Sequence, residues 1–478
     1  MKYDYDIITI GLGPAGMAVS IMGSEMGLNI CAIEKKSLGG ECMNAGCIPS
    51  KALLRAARTR HTFSTYQNYS LKGGSIPEVD NIFENIQKDL NFIGDKKTKG
   101  MFKKTDLMLK EGSAKFVDSH TVAVGDKRIT AKRIFICTGT KPFVPPVEGI
   151  EDINYLTNEN MFKLEKVPQS MIIIGGGVIG CEMAQAYQRL GTKVTIINRD
   201  KNLIFPQDAE VATTLKTGLE KDGVTIYNDS NVSKYEKTTV GVKAYFGDSQ
   251  VIEAEQIIIA AGRVFDPSEL DLDKAGVEYT KKGIKVNNIL QTNKKHILAC
   301  GDCNGHFLLS HAAMHQGMIA LMNTMVPLPS WMPIPGPFKR NFKQYVVPST
   351  IFTDPQVSRV GLNEDDLQKL GKKYQVVKVN YGDYGAAIAE KVETGYIKAF
   401  ISPLGKIYGV YIVGEGSGEM INEWALAIQK NLHITSIMLM QHSFPTMGFL
   451  TKRVSEEWMM GKMASSFLQK MCQVMFRL

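Results

Sequence analysis

The sequence has no apolar run near the ~18 residues a helix needs to cross a bilayer, so no membrane-spanning segment is expected. It shows no cleavable leader: "MKYDYDIITIGLG" enters a strand almost at once, and the cytoplasm is the expected compartment. The eight cysteines, without a secretion signal, do not suggest a structural disulfide framework. No second Cys pair or Cys/His cluster completes a four-ligand zinc site, so no metal is expected. No basic run is interleaved with stacking aromatics, which argues against nucleic acid as a partner. The formal charge of +8 is mild for 478 residues and favours anionic ligands or surfaces only in a general way.

What is present is an ordinary globular composition, with 44% hydrophobic and 22% charged residues and 44 glycines. The length suits about three domains of roughly 100–200 residues each. "YDIITIGLGPAGMAVSIMGSEMGLNICAIEKK" reads as strand, Gly-rich turn, helix and strand, with Gly11, Gly13 and Gly16 forming GxGxxG. Missing side chains let the backbone turn tightly and approach a pyrophosphate, and the helix N-terminus offers unpaired N–H groups. Glu34 ends the next strand, where a carboxylate can accept both ribose hydroxyls.

The pattern recurs in "SMIIIGGGVIGCEMAQAYQRLGTKVTIINRD", where Gly175, Gly177 and Gly180 take the same frame. Two such units imply two dinucleotides, as in a flavin reduced by a nicotinamide. The second unit has Asn198 where the first has its acid, and Arg199 follows. A carboxylate there would repel a 2′-phosphate, whereas a guanidinium can pair with one, so NADPH is expected over NADH.

Directly after the first unit comes "LGGECMNAGCIPSKALLRAARTR", with Cys42 and Cys47 five apart at the start of a helix-forming run. Such a pair can close a small disulfide ring, and a helix N-terminus lowers a thiolate's pKa. "CGDC" at 300–303 has the form of a redox or zinc motif.

"GGECMNAGCIPSKALL" resembles the active-site signature of the class I pyridine nucleotide–disulfide oxidoreductases, the family of dihydrolipoamide dehydrogenase, glutathione reductase and mercuric reductase. The likeness runs nearly end to end. "ICTGTKP" (Thr138, Gly139) resembles the crossover from flavin to nicotinamide domain, and "AAGRVFDP" (Gly262) the return. "TNKKHILACGDCNG" resembles the strand whose Asp, here Asp302, binds the flavin chain, and "VPSTIFTDPQVSRVGLNEDD" the opening of the dimerisation domain. The resemblance implies an α/β fold: two Rossmann-like dinucleotide-binding domains, for FAD and NAD(P), plus a C-terminal α+β dimerisation domain. The expected division is 1–148 and 264–343 for FAD, 149–263 for NAD(P), and 344–478 for dimerisation with an extended tail. It implies a homodimer, Cys42 as the interchange thiol, Cys47 as the thiolate against the flavin, and Lys51 paired with Glu182.

One segment departs from the family pattern. Disulfide-reducing members carry His-x-His-Pro-Thr-x-x-Glu near the end, the second His being the acid–base and the Glu its orienter. Aligned on Pro445 and Thr446, that His is Phe444 and the Glu is Phe449. His442 remains at the first His position, but two residues along an extended chain is nearly 7 Å. Glu456 and Glu457 lie more than a turn beyond Phe449. Losing a positioned base typically slows such chemistry about 10²–10⁴-fold. The expected activity is NAD(P)H-dependent electron transfer through Cys42–Cys47 to a small-molecule or protein-bound thiol/disulfide acceptor, dihydrolipoamide dehydrogenase-like but slowed. The departure also resembles features of mercuric reductase (a metal or quinone acceptor) and of 2-ketopropyl-coenzyme M oxidoreductase/carboxylase (thioether cleavage). An electron-transfer flavoprotein serving a protein partner is a further alternative.

Two segments lie outside this frame. "MVPLPSWMPIPGPFKR" (325–340), with Trp331 and Met332, reads as a rigid surface crossing. At the end, Met463, Phe467, Met471, Val474 and Leu478 fall at helical spacing with Lys462, Lys470 and Arg477 mostly between them, and Cys472 is the only cysteine there. Such a basic amphipathic helix suits either a dimer groove or peripheral contact with an anionic membrane.

Overall fold

The computed structural model describes residues 2–325 and 340–477. Trp331, Met332 and Leu478 therefore lie outside the described residues, as does nearly all of the Pro-rich stretch.

The first Gly-rich segment forms strand β1 (Tyr5–Ile10), helix α1 (Pro14–Glu25) and strand β2 (Ile30–Glu34). Every residue of β2 is buried, as a parallel strand covered on both faces requires. Short helix α2 (Gly40–Asn44) and the long α3 (Cys47–Thr65) follow. Strand β3 (Asp106–Leu109) pairs with β2, and the meander β4 (Ala114–Phe116), β5 (Thr121–Val124) and β6 (Lys127–Ile136) extends the sheet on the other side of β1.

The second Gly-rich segment builds its own four-stranded parallel sheet. It consists of β7 (Ser170–Ile174), β8 (Lys193–Ile197), β9 (Thr225–Tyr227) and β10 (Gln256–Ile259), with helix α4 (Val178–Arg189) after β7. The chain leaves and re-enters the first sheet through a two-stranded ribbon, Lys141–Pro142 against Arg263–Val264. It then adds β11 (Ile297–Ala299) in parallel beside β6. Helix α5 (Ser310–Met325) packs back on this sheet through buried Ile319, Ala320 and Leu321.

The C-terminal unit is a five-stranded antiparallel sheet of β12 (Ser349–Ile351), β13 (Val357–Gly361), β14 (Gln375–Asn380), β15 (Tyr396–Ile401) and β16 (Ile407–Val413). Helices α6 (Ser417–Gln429) and α7 (Phe449–Met463) share a core with it around buried Trp424 and Trp458. Helix α8 (Ser466–Arg477) follows a break at Ala464 and Ser465, so the terminal Met stripe is split, with Met463 closing α7 rather than opening the last helix.

Candidate active site

The two Gly-rich turns are built alike. In the first, a Cβ on Gly11 would lie 2.7 Å from the Cys137 carbonyl oxygen, and one on Gly16 would lie 1.9 Å from that of Gly11. These two glycines are demanded by packing. Gly13 is different: a Cβ there meets nothing within 4 Å, so its bare backbone faces a space at the N-terminus of α1. In the second turn, Gly175 and Gly180 are closed in by Ala260 and Gly175 carbonyls at 2.5 and 2.0 Å, while Gly177 again meets nothing. Both turns thus leave an exposed helix N-terminus for a pyrophosphate.

The residue after each second strand also corresponds. Glu34 is buried and accepts from Leu12 N at 2.8 Å and Lys36 N at 2.7 Å. Asn198 occupies the matching place, its Oδ1 accepting from Gly176 N at 3.1 Å. Its amide donates to Asp200 O, Asn202 O and Asn228 Oδ1. Arg199 beside it is 76% exposed, with only Asp200 near, at 3.7 Å. The first cradle therefore carries a carboxylate at this place, and the second a neutral amide flanked by a cation.

Thr138 and Gly139 follow β6, with Gly139 at φ +68°, and Gly262 at φ +127° accepts from Phe143 N at the ribbon. Asp302 opens a short 3₁₀ turn after β11. Burial pushes its carboxyl up to about 6, opposed by the Arg263 guanidinium and the Thr140 hydroxyl. A buried carboxyl with few charged partners suits acceptance of a hydroxyl on a bound cofactor. The flanking Cys300 and Cys303 are buried, and the Cys303 thiol donates to the backbone carbonyls of Ile136 and Cys300. The CxxC spacing at 300–303 thus serves packing. With Gly13 and Glu34, this arrangement fits the adenine dinucleotide end and the side chain of a flavin dinucleotide.

Gly39 and Gly40, at φ +82° and +56°, turn the chain so that Cys42 rides on α2 and Cys47 opens α3. Both are thiols, half-buried. The Cys42 thiol donates to Cys47, which pulls the Cys47 pKa down to about 6, with help from Ser310 and the Lys51 charge. Ser310 Oγ lies 3.2 Å from Cys47 Sγ. Cys42 moves the opposite way, held in its neutral form by that same bond and by burial. The pair is thus one thiolate and one thiol, with the thiolate at a helix N-terminus. Sequence reasoning missed Ser310, because only the fold brings α5 against α3.

Lys51, one turn along α3, bonds Glu182 of α4 at 2.8 Å. The other Glu182 oxygen accepts from Phe352 N at 2.9 Å, and Lys51 Nζ lies 4.3 Å from the centre of the Phe352 ring. This expected ion pair joins the redox helix to the second nucleotide unit.

Phe444 and Phe449 lie elsewhere, in the C-terminal unit. Their rings meet edge to face at 5.4 Å, and Tyr384 stacks on Phe449 at 6.1 Å. With Asp383, Pro445 and Arg453 they line a cleft of about 450 Å³. Phe444 is 71% exposed, so the aromatic face is presented outward. His442 is not part of that face. It is buried, its Nε2 bonded to Glu423 of α6 at 3.1 Å and its Nδ1 near Met440 O. Glu423 is the carboxylate partner that sequence spacing did not reveal. Glu456 and Glu457 lie within α7.

Two dinucleotide cradles, a thiolate–thiol pair beside one of them and a separate interface-type sheet define a flavin- and nicotinamide-dependent thiol–disulfide oxidoreductase. Comparison with known proteins gives the same class. Residues 5–317 match the pyridine nucleotide-disulphide oxidoreductase family, and residues 347–453 match the dimerisation domain of that family. The chain is 32% identical over 461 residues to a dihydrolipoyl dehydrogenase of Thermus scotoductus, covering 93% of this chain and 95% of that one. It is 30% identical over 441 residues to a mercuric reductase of Lysinibacillus sphaericus, covering 91% of this chain and 79% of that one. The fold is also that of the HOCl-induced flavoprotein disulfide reductase RclA from Escherichia coli, with a TM-score of 0.83, 24% identity, and 95% and 99% of the two chains covered.

The chain belongs to the pyridine nucleotide–disulfide oxidoreductases of class I. It is a flavin-dependent oxidoreductase of the EC 1.8.1 type, a family that uses FAD and NAD(P)H and assembles as homodimers. Among the described residues no helix is long and apolar enough to cross a membrane. Among them, too, no group of three His, Cys, Asp or Glu is placed to hold a metal ion.

Proposed function

We propose that this protein is a cytoplasmic NADPH-dependent reductase that passes electrons through Cys42 and Cys47 to an acceptor other than a rapidly exchanged disulfide. The divisions 1–148 and 264–343 for FAD, 149–263 for NADPH and 344–478 for dimerisation belong to this reading. FAD, when bound, accepts hydride from the nicotinamide and returns two electrons to the sulfurs. The chain's own residues do the rest. Gly11, Gly13, Gly16, Glu34, Thr138, Gly139 and Asp302 hold the flavin dinucleotide. Gly175, Gly177, Gly180, Gly262 and Arg199 hold the nicotinamide dinucleotide, with Arg199 taking its 2′-phosphate. Lys51 and Glu182 fix the helix that carries Cys47, and Ser310 steadies the Cys47 thiolate. Cys42, the neutral partner, is the sulfur that meets the acceptor.

The observation that carries the reading is the aromatic cleft. Phe444 and Phe449 line this outward-facing cleft at the positions of the family's acid–base pair, and on the proposed reading one protomer's pair faces its partner's sulfurs, where a disulfide-exchanging enzyme needs an imidazole to protonate the leaving thiolate. Without one, exchange slows about 10²–10⁴-fold. Steady-state turnover of the FAD-loaded dimer with NADPH and NADH, against lipoamide, glutathione disulfide, Hg(II) and a quinone, tests it. Slow disulfide turnover beside a faster acceptor is the expected result; rapid lipoamide turnover at neutral pH refutes it.

A second reading is reduction of a soft metal ion, favoured by the likeness to proteins named mercuric reductase. A metal ion held between two sulfurs takes both electrons without a thiolate leaving, so the imidazole is not needed. Hg(II)-dependent NADPH oxidation abolished by Cys42→Ser separates this reading from the quinone.

A further inference from the structure

Helix α8 is amphipathic to an unusual degree for a segment with no buried residue. At about 100° per residue, Phe467, Leu468, Met471, Val474, Met475 and Phe476 cover an arc of roughly 200°. Lys470, Arg477, Ser466 and the two glutamines close the remaining narrow face. No residue of α8 is buried. Phe476 is 93% exposed and Phe467 74%. Large apolar side chains are normally buried in contiguous patches, so this arc is made to be covered.

Two features of the chain decide what covers it. First, the match to the family's dimerisation domain ends at residue 453, before α8 begins. Second, the charge is of one sign. From Trp458 to Leu478 there is no Asp or Glu, while Lys462, Lys470 and Arg477 are all cations. A protein groove would be expected to meet a mixed set of charges. A wide apolar arc with a narrow basic face is instead the pattern of a helix that lies in the plane of a lipid interface, its apolar side sunk to the acyl boundary and its cations at the headgroups.

We propose that α8 docks the dimer onto an anionic lipid surface. Its rings and methionines enter the acyl boundary, and Lys470 and Arg477 pair with phosphate headgroups. Two copies per dimer act together, so modest affinity per helix becomes firm attachment. This proposal does not depend on the identity of the electron acceptor.

Cosedimentation of the FAD-loaded, full-length dimer with vesicles tests it. The protein should pellet with phosphatidylcholine–phosphatidylglycerol vesicles, much less with phosphatidylcholine alone, and less as salt rises. Lys470→Glu with Arg477→Glu should weaken partitioning about tenfold or more. Phe467→Ser with Phe476→Ser should weaken it comparably. FAD content and turnover of a soluble acceptor should not change in either variant. A second readout avoids any folding defect of the variants: with Cys42 and Cys47 oxidised to their disulfide, a polarity-sensitive dye on exposed Cys472 should shift to the blue on the anionic vesicles. Equal pelleting with and without phosphatidylglycerol overturns the proposal. So does unchanged pelleting after deletion of residues 464–478. If that deletion instead splits the dimer, and the intact protein ignores vesicles, a second copy of the chain is the occupant.

Discussion

His442 Nε2 sits 3.1 Å from a carboxylate oxygen of Glu423, within one subunit. A buried imidazole whose two nitrogens face Glu423 and the Met440 carbonyl is committed to holding α6 against the segment before Pro445. Its His–Glu chemistry is that of the family's acid–base pair, but it faces inward. We therefore expect His442→Ala to lower stability by about 1–3 kcal/mol and to leave disulfide turnover nearly unchanged. Thermal unfolding and lipoamide kinetics on the same preparation separate the two effects. A large fall in kcat with stability intact would make His442 the proton carrier after all.

Restoring the imidazole is the converse test. Phe444→His should raise lipoamide turnover, and Phe444→His with Phe449→Glu should raise it further, together by about 10²-fold. Stopped-flow reduction of lipoamide measures the gain. No change would mean that the aromatic cleft is not where the acceptor is protonated.

The Cys47 thiolate sets a pH dependence whose sign is fixed. Its folded pKa, about 6, lies below an ordinary thiol's value near 9. Its contribution to stability is therefore complete above about pH 9 and is lost as pH falls through about 6. The long-wavelength thiolate–flavin absorbance of the reduced holoenzyme should fade with a midpoint near 6. Ser310→Ala removes a bond to the thiolate and should move that midpoint upward, as should Lys51→Met. An unmoved midpoint in both variants would detach the thiolate from this environment.

Asp302 carries the opposite sign. Its carboxyl is raised to about 6 by burial, so ionising it costs stability as pH rises from about 4 to 6. Asp302→Asn should give an apoprotein at least as stable at pH 7, while FAD affinity falls about 10–100-fold, as for loss of a hydrogen bond to a charged group. Differential scanning fluorimetry with and without added FAD reads both quantities.

On the proposed reading, the exposed Arg199 guanidinium takes the 2′-phosphate of NADPH. Arg199→Asn should raise KM for NADPH about tenfold and leave that for NADH alone. Equal effects on both would mean that Arg199 does not meet the 2′-phosphate.

The sequence carried the local features far and the long-range ones poorly. Both Gly-rich turns, Glu34 and the Cys42–Cys47 pair were legible because strand, turn and helix signals flank them within a few tens of residues, whereas Asp302 was legible only through family resemblance. The Lys51–Glu182 pair was legible only through family resemblance, since 131 positions separate its members. Ser310 and Glu423 were illegible: a serine at the start of one helix and a glutamate on another have no periodicity that points to a sulfur or an imidazole. The tail's helical spacing was correct in kind, but the break at Ala464 and Ser465 gave too weak a signal to place the boundary. Asn198 was read as the loss of an acid, whereas its amide makes the same bond to the turn that Glu34 makes in the first unit.

Helix α3, which begins at Cys47, buries Leu53 and Ala57 in one core with Met183 and Tyr187 of α4. Its sulfur-bearing end is therefore tied to the second Gly-rich unit, because the two helices share a single set of packed side chains. Amide hydrogens along 47–65 and 178–189 should exchange together as one cooperative block. Occupancy of the nucleotide cradle would then stiffen the neighbourhood of the thiols without any ligand touching them.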